Sequence, residues 1–333
     1  MPPRPRQADI AKLAGVSQAT VSVVLGGNRS NLRMAESTRT RVLAAAEELG
    51  YVPDPVATRL ASRRNNILGV YTFTPTFPTD IADSYHPILT GVEEQAAALG
   101  QDLLLFTGAA GRAHDSRELR RTRIADGCLF FGRHVPVDAV APLVAEGFPL
   151  VHIGRRDELE GGIPHVGADY VTASAAVVEH LRSLGHTNIR YVREHDDAPS
   201  STDRERGAGL TQVTRTDGGD LTADTVRSWI AGGTTALVVE ETDTCAAYLA
   251  VRRAIRDAGL RVPDDLSLAV LGRPPDDEAV TGFEVPRHEM GRAAVRLLVD
   301  LVTRATTPDS PQARRLLACA PVQGASTDRR KGP

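Results

Sequence analysis

From Ile67 onward, short runs of consecutive apolar residues alternate with longer stretches in which apolar residues recur every three or four positions. "ILGVYTF" (67–73), "QDLLLFT" (101–107), "DGCLFFG" (126–132), "PLVHIG" (149–154), "NIRYVRE" (188–194), "TALVVEE" (235–241) and "LSLAVLG" (266–272) have the length and bounding residues of strands. Between them, "ILTGVEEQAAALG", "DSRELRRTRIA", "DAVAPLVAEG", "ASAAVVEHLRSLGH", "CAAYLAVRRAIRDAG" and "EMGRAAVRLLVDLVTRA" carry the helical period. Strands in regular alternation with helices predict parallel sheets covered on both faces, an α/β body. The stretch between Gly209 and Asp224, "LTQVTRTDGGDLTA", has neither period and is expected to be a loop.

The first 66 residues show only the helical period. In "QADIAKLA" (7–14), Ile10, Ala11, Leu13 and Ala14 fall on one face, and Gly15 supplies the left-handed residue that ends the helix. Ser17 is a good N-cap for a second helix whose inward residues are Val21, Val24 and Leu25. That phase turns Gln18, Ala19, Ser22 and Val23 outward. Two short helices joined by a tight glycine turn fit either a DNA-reading helix-turn-helix or an ordinary helical hairpin. A third helix is expected over about 36–49, with Val42, Ala45, Ala46 and Leu49 inward and Gly50 closing it. "YVPDPVATRLAS" then offers Asp54 as N-cap and Pro55 at the first helical position, and this helix can run only to about Ser62. Eight residues are too few to hold a helix alone in water, so ordering it needs a partner.

Charge separates the two parts further. The net charge is −3 over 333 residues, yet residues 1–66 hold ten Arg and Lys against five acids, which leaves the remainder at −8. A basic head on an acidic body predicts a polyanionic partner for the head alone. Cys128, Cys245 and Cys319 are far apart and form no Cys-x-x-Cys pair, so neither a zinc site nor a disulfide framework is indicated. The N-terminal "MPPRPRQADI" has no apolar core and no long apolar run follows, so a cytoplasmic protein with no membrane partner is expected.

Residues 7–69 resemble the LacI/GalR family of transcriptional repressors through "DIAKLAGVSQATVS", "ESTRTRVLAAAEELGYVPD" and "VATRLAS…ILGV". The order of helix-turn-helix, third helix, Tyr-x-Pro and short hinge helix is specific. The resemblance implies that Ser17 and Thr20 hold phosphates, that Gln18, Ala19 and Val23 read bases, and that Leu60 wedges into the minor groove while Val56 meets its dimer mate. Arg6, Ser22 and Thr38 complete the implied DNA-contacting set. Three positions depart from the family's pattern: Val23 stands where a polar or basic reader is usual, Arg6 replaces a small N-cap, and Ala35 replaces the serine that caps the third helix.

The resemblance continues through "VEHLRSLGHTNIRYV", "AGLRVPDDLSLAVLG" and "RHEMGRAAVRLLVDLV". It implies a small all-α helix-turn-helix head and an α/β body of two doubly wound, periplasmic-binding-protein-like subdomains with a ligand cleft between them. The implied divisions are a DNA-binding domain at 1–53, a hinge at 54–66, an effector-binding and dimerisation body at 67–325 and a tail at 326–333. "DRERGAGL" fits the family's Arg-x-x-Gly and makes Arg206 the cleft arginine; Tyr85 fits the aromatic after the first strand, and Asp169 an acidic cleft position. Two expected motifs are replaced, Ala-Asn-Asp by Glu240-Glu241-Thr242 and Tyr-Asp-Asp by Leu271-Gly272-Arg273, which points away from an ordinary sugar effector. Glu241 and Arg273 are expected to pair or to hold a different polar ligand.

No Gly-rich phosphate loop, nucleophile elbow or cofactor motif is found, and His195-Asp196-Asp197 at a strand end has the look of a solvated turn rather than a metal site. The expected function is a dimeric repressor that binds an inverted-repeat operator and responds to a small polar ligand, with no catalysis and no cofactor. The alternative is a regulator whose pocket has eroded, its body serving only dimerisation or partner binding.

Overall fold

In the computed structural model, which describes residues 5–25, 35–51, 64–73, 85–107, 115–157, 162–274 and 279–330, Gly15 takes φ 65° and turns the chain from α1 (Gln7–Ala14) to α2 (Gln18–Leu25). The two helices are bent by 107°, inside the range of helix-turn-helix pairs. Ser17 caps α2, its Oγ accepting from the Thr20 N–H at 3.1 Å. The third helix, α3 (Glu36–Glu48), starts from Ala35 with no side-chain cap, a loss of about 0.5–2 kcal/mol. Arg6 recovers half of a capping box, its own N–H donating to Asp9 Oδ2 at 2.8 Å. Ile10, Ala11, Ala14, Val21, Val24, Val42, Ala45 and Ala46 form the small core of this head. Leu13 is not among them: it stays 47% exposed, because it lies one step beyond the narrow stripe that α2 and α3 cover. Asp54, Val56 and Leu60 of the expected hinge helix lie outside the described residues.

The described chain divides into two units, Met1–Ile67 and Leu68–Pro333. In the second unit, β1 (Ile67–Thr72) to β5 alternate with helices: α4 (His86–Ala98), β2 (Asp102–Thr107), α5 (Ser116–Leu119), β3 (Gly127–Phe131), α6 (Val137–Ala145), β4 (Leu150–Ile153) and β5 (His165–Ala168). The chain continues through α7 (Tyr170–Ser183), β6 (Ile189–Glu194), α8 (Pro199–Ala208), β7 (Val213–Thr216), α9 (Ala223–Ala231), β8 (Ala236–Glu240), α10 (Ala246–Asp257) and β9 (Ser267–Leu271). It ends with β10 (Gly282–Glu284), α11 (Arg287–Thr303), β11 (Arg314–Leu317) and β12 (Ala320–Val322). One large sheet has the order β11-β5-β4-β3-β1-β2 and the other β7-β6-β8-β9, while β10 and β12 form a small antiparallel pair. The described pairings within these two sheets are parallel, with Leu68 opposite Gly127 and Ile189 opposite Ala236. The expected loop at 209–224 therefore contains a strand, β7, whose polar sequence "VTRT" suits a sheet edge.

The apolar runs are buried on both faces, as parallel strands require. Leu129 and Phe131 enter the core that spans both sheets, whereas Cys128 and Phe130 enter the one beneath α6. In β8, Ala236 and Val238 join the spanning core, and Leu237 and Val239 face Trp229 and α10. Helix α11 returns to the six-stranded sheet and lies against α4 at very short range: a Cβ added at Gly91 would stand 2.0 Å from the His288 carbonyl oxygen, and one at Gly291 would stand 2.2 Å from that of Ile88. Only glycine permits that approach. No single helix among the described residues is long and apolar enough to cross a membrane.

Among the described residues of this body, three histidines are buried. His152 of β4 is fully inaccessible, with Nδ1 2.9 Å from the Gly154 carbonyl oxygen. Burial, helped by the charge of Arg156, holds its pKa well below the usual imidazole range, and burial also lowers His165 and His186. A lowered folded pKa means that the unfolded chain takes up protons first as pH falls. Stability is therefore complete above about pH 6.5 and declines below it, by up to about 1.4 kcal/mol per pH unit for His152. Urea unfolding at about pH 7.5 and about pH 5.5 checks this. The midpoint drops at the lower pH; an unchanged midpoint contradicts the neutral buried state.

Candidate functional site

Helix α2 presents its polar side as the sequence phase requires. Val21 and Val24 are buried, Gln18 and Ala19 are exposed, and Ser22 and Val23 are half-buried. Ser17 and Thr20 sit at its N-terminus with their hydroxyls 2.8 Å apart. Arg6 is exposed at the start of α1 and Thr38 half-buried in the first turn of α3. The N-terminal turn of α2 offers unpaired backbone N–H groups beside those hydroxyls, the arrangement that grips a phosphate. Leu60, the remaining expected contact, lies outside the described residues.

In the body, the loops at the carboxyl ends of β3, β4 and β8 face one another across a cleft, where ligands of open α/β sheets bind. From the six-stranded side come Tyr85 and Ile88 of the α4 region, Gly132 and Arg133 after β3, and Ile153 to Arg156 after β4. From the other come Ser200, Asp203 and Arg204 of α8 and Glu241 to Asp243 after β8, and Arg287 joins them from the start of α11. The cavity measures about 120 Å³, against roughly 300–1,000 Å³ for ordinary small-molecule sites.

Ion pairs close it. Arg155 holds Asp203 bidentately, Nε to Oδ2 at 2.7 Å and a terminal nitrogen to Oδ1 at 2.9 Å. Arg133 donates to Asp196 Oδ2 at 2.6 Å, to Asp243 Oδ1 at 3.0 Å and to Ser201 Oγ at 3.3 Å. Burial opposes the charge of Arg133, but Asp243 and Asp196 outweigh it and raise its pKa. Deeper in, Arg204 is 3% exposed and lies over the Tyr170 ring at 3.9 Å, with Nε donating to the Leu271 carbonyl oxygen at 2.9 Å. Glu241 accepts from Arg287 at 3.1 and 3.2 Å and stands 3.9 Å from Arg204. Its neighbour Glu240 is fully buried, and burial pushes its pKa up despite Arg204.

Of the five residues expected in the cleft, Tyr85 and Glu241 line it. Arg206 does not: its side chain is 63% exposed and salt-bridged to Asp203 at 2.8 Å. Arg204 takes the cleft position instead. Both arginines satisfy Arg-x-x-Gly, with Gly207 and Gly209, but two helical steps of about 100° put them on opposite faces of α8. Asp169 caps α7, accepting from the Thr172 N–H at 3.0 Å, and lines a separate cavity of about 420 Å³. Arg273 pairs with Glu284 at 3.1 Å rather than with Glu241, whose partner is Arg287. Arg133, Arg155, Arg156, Asp203 and Arg287 were not expected in the cleft; they sit in loops, in the polar helix α8 and at the first residue of α11, where no local pattern marks them. Asp196 and Asp197 are held low by arginines: Asp197 chiefly by its hydrogen bond from Arg215, and Asp196, against burial, by Arg133. Among the described residues no cluster of His, Cys, Asp and Glu could hold a metal ion.

Residues 8–54 match the bacterial regulatory proteins of the lacI family, residues 75–233 the periplasmic binding proteins and sugar binding domain of the LacI family, and residues 178–327 the periplasmic binding protein-like domain. The chain is 31% identical over 337 residues to the HTH-type transcriptional regulator MalR of Streptomyces coelicolor, covering 92% of both chains. It belongs to the lacI family of bacterial regulatory proteins. This LacI-family chain is also similar to the structure of the transcriptional regulator CelR–cellobiose complex, at 26% identity and a TM-score of 0.62 over 97% of this chain and 100% of that one. The lac repressor dimer bound to operator shares its fold, with a TM-score of 0.71 at 23% identity over 98% of this chain and all of that one. The protein is thus a DNA-binding transcriptional regulator whose periplasmic-binding-like body answers to a small-molecule effector.

Proposed function

We propose that this regulator acts as a homodimeric cytoplasmic repressor, working by binding rather than catalysis, that reads an inverted-repeat operator through α2 and is switched by a small polar molecule in the body cleft. The observation that carries this reading is the outward set Gln18, Ala19, Ser22 and Val23 on a short helix whose opposite face is locked into the head core. One such helix reads only a few base pairs, so two copies about a twofold axis are needed for useful specificity. Gln18 can bond adenine N6 and N7, and Ala19 and Val23 can pack on a thymine methyl; α2 has no arginine to grip guanine. The half-site is therefore A·T-rich beneath Gln18 and Val23. Random-sequence selection tests this directly. Val23→Arg moves the preference at one base pair towards G·C by about 1–3 kcal/mol, and identical half-sites from both proteins would falsify the assignment of α2 as the reading helix in this register. The cleft supports the effector half of the reading: a body kept only for dimerisation has no use for the costly burial of Arg204, Glu240 and Glu241 together.

A further inference from the structure

The cleft holds more donors than it uses. Its described lining carries five arginines, at 133, 155, 156, 204 and 287, against three carboxylates, Asp203, Glu241 and Asp243. Those carboxylates are already engaged: Asp203 takes two hydrogen bonds from Arg155 and one from Arg206, Asp243 takes one from Arg133, and Glu241 takes two from Arg287. Two guanidinium groups are engaged only in part. Arg287 turns one terminal nitrogen to Glu241, leaving Nε and the other terminal nitrogen without a hydrogen-bond partner among the described residues. Arg204 donates from Nε to Leu271 and from one terminal nitrogen to the Ser200 carbonyl oxygen at 3.3 Å, while the other terminal nitrogen stands 3.9 Å from Glu241, beyond hydrogen-bond range.

The two arginines flank a single carboxylate, and the cluster keeps an excess positive charge in a site where little water screens it. Glu240, the nearest further acid, is fully buried and does not line the cleft; burial raises its pKa. A neutral polyol needs acceptors as well as donors, and the described lining has no Asn or Gln, while each of its carboxylates already accepts from an arginine. An anion is acceptor-only and uses what is left over; planar guanidinium groups suit carboxylate and phosphate equally.

We propose that the effector is a small organic anion whose carboxylate or phosphate group seats between Arg204 and Arg287. This rests on the reading of the cleft as the effector site and names the ligand's chemical class. The experiment measures thermal shift and calorimetric binding on the full chain at low salt. Its probes are D-gluconate and D-glucuronate for carboxylates, glucose 6-phosphate for phosphates, and cellobiose and glucose as neutral controls. At least one anion is expected to raise Tm and bind, more weakly as salt is added, while the neutral sugars do not. Which arm binds tells carboxylate from phosphate. Because Arg287→Gln alone leaves Glu241 buried without its main partner, it is combined with Glu241→Gln; binding then weakens at least about tenfold, whereas Arg296→Gln, farther along the same helix, leaves it unchanged. Binding of a neutral sugar with none of the anions, no binding of any anion, or anion binding indifferent to the paired substitution each overturns the proposal. Operator affinity is measured separately. An anion that binds through Arg287 without altering operator affinity upholds the ligand class and defeats the effector switch instead.

Discussion

Ile10→Ala abolishes operator binding and leaves the body's thermal unfolding where it was. Ile10 is fully buried in a head whose described core has only eight buried apolar side chains, four of them alanine. Truncating a buried isoleucine costs about 2–5 kcal/mol, which matches or exceeds the whole stability expected of so small a unit. Neighbouring Val21 and Val42 are equally inaccessible and belong to α2 and α3, so a cavity at Ile10 loosens all three helices at once. Calorimetry should show the body transition alone, and fluorescence anisotropy should show operator affinity down by at least about a hundredfold, the equivalent of roughly 2.7 kcal/mol. Wild-type affinity in this variant would mean that the head is held by something other than its described core.

Arg155→Met destabilises the body by about 3 kcal/mol. The methionine replaces the stem of the arginine but withdraws both charge-assisted bonds from Asp203, which is 3% exposed and keeps only Arg206. That figure is the lower end of what breaking a buried pair costs, because Arg206 remains. Removing the stranded charge as well, in Arg155→Met with Asp203→Leu, returns most of the loss, since apolar packing replaces a buried pair at little net cost. Urea unfolding of the two single variants and the double completes the cycle. Additive losses would show that the two side chains do not act as a unit.

Those two sites illustrate what the chain discloses about itself. The head core was legible because helical spacing alone selects Ile10, Val21, Val24 and Val42. The strands β1, β3, β8 and β9 were legible because parallel strands buried on both faces are unbroken apolar runs. Strand β5 ("HVGA") and edge strands β7 ("VTRT") and β11 ("RRLL") have no such run and are held by neighbours far away in sequence. Helix α8, "PSSTDRERGA", is polar throughout, yet buries Asp203 by pairing it with Arg155 across the cleft and Arg204 against the Tyr170 ring and the Leu271 carbonyl oxygen. Hydropathy registers apolar burial and is blind to burial neutralised by a distant opposite charge. The same blindness let Arg206 stand for Arg204, because the motif fits both and only the helix's rotation decides. Glu241 needed no such phase information, since it directly follows the end of β8, and Tyr85 came from the family resemblance rather than from the strand pattern.

The glycine contact between α4 and α11, and the seating of β11 beside β5, tie the beginning of the body to its end. The four-stranded sheet draws on one continuous stretch, β6 to β9, but the six-stranded sheet begins at Ile67 and is complete only at Leu317. On a ribosome adding about 5–20 residues per second, roughly 12–50 s separate its first strand from its last. From its own synthesis until β11 arrives β5 has an open edge, and until Gly291 emerges the α4 surface that it will cover is bare. The subdomain that emerges first is therefore the one that finishes last. In the cell, the demand for chaperone protection falls on the N-terminal half of the body while its partner subdomain is already assembled.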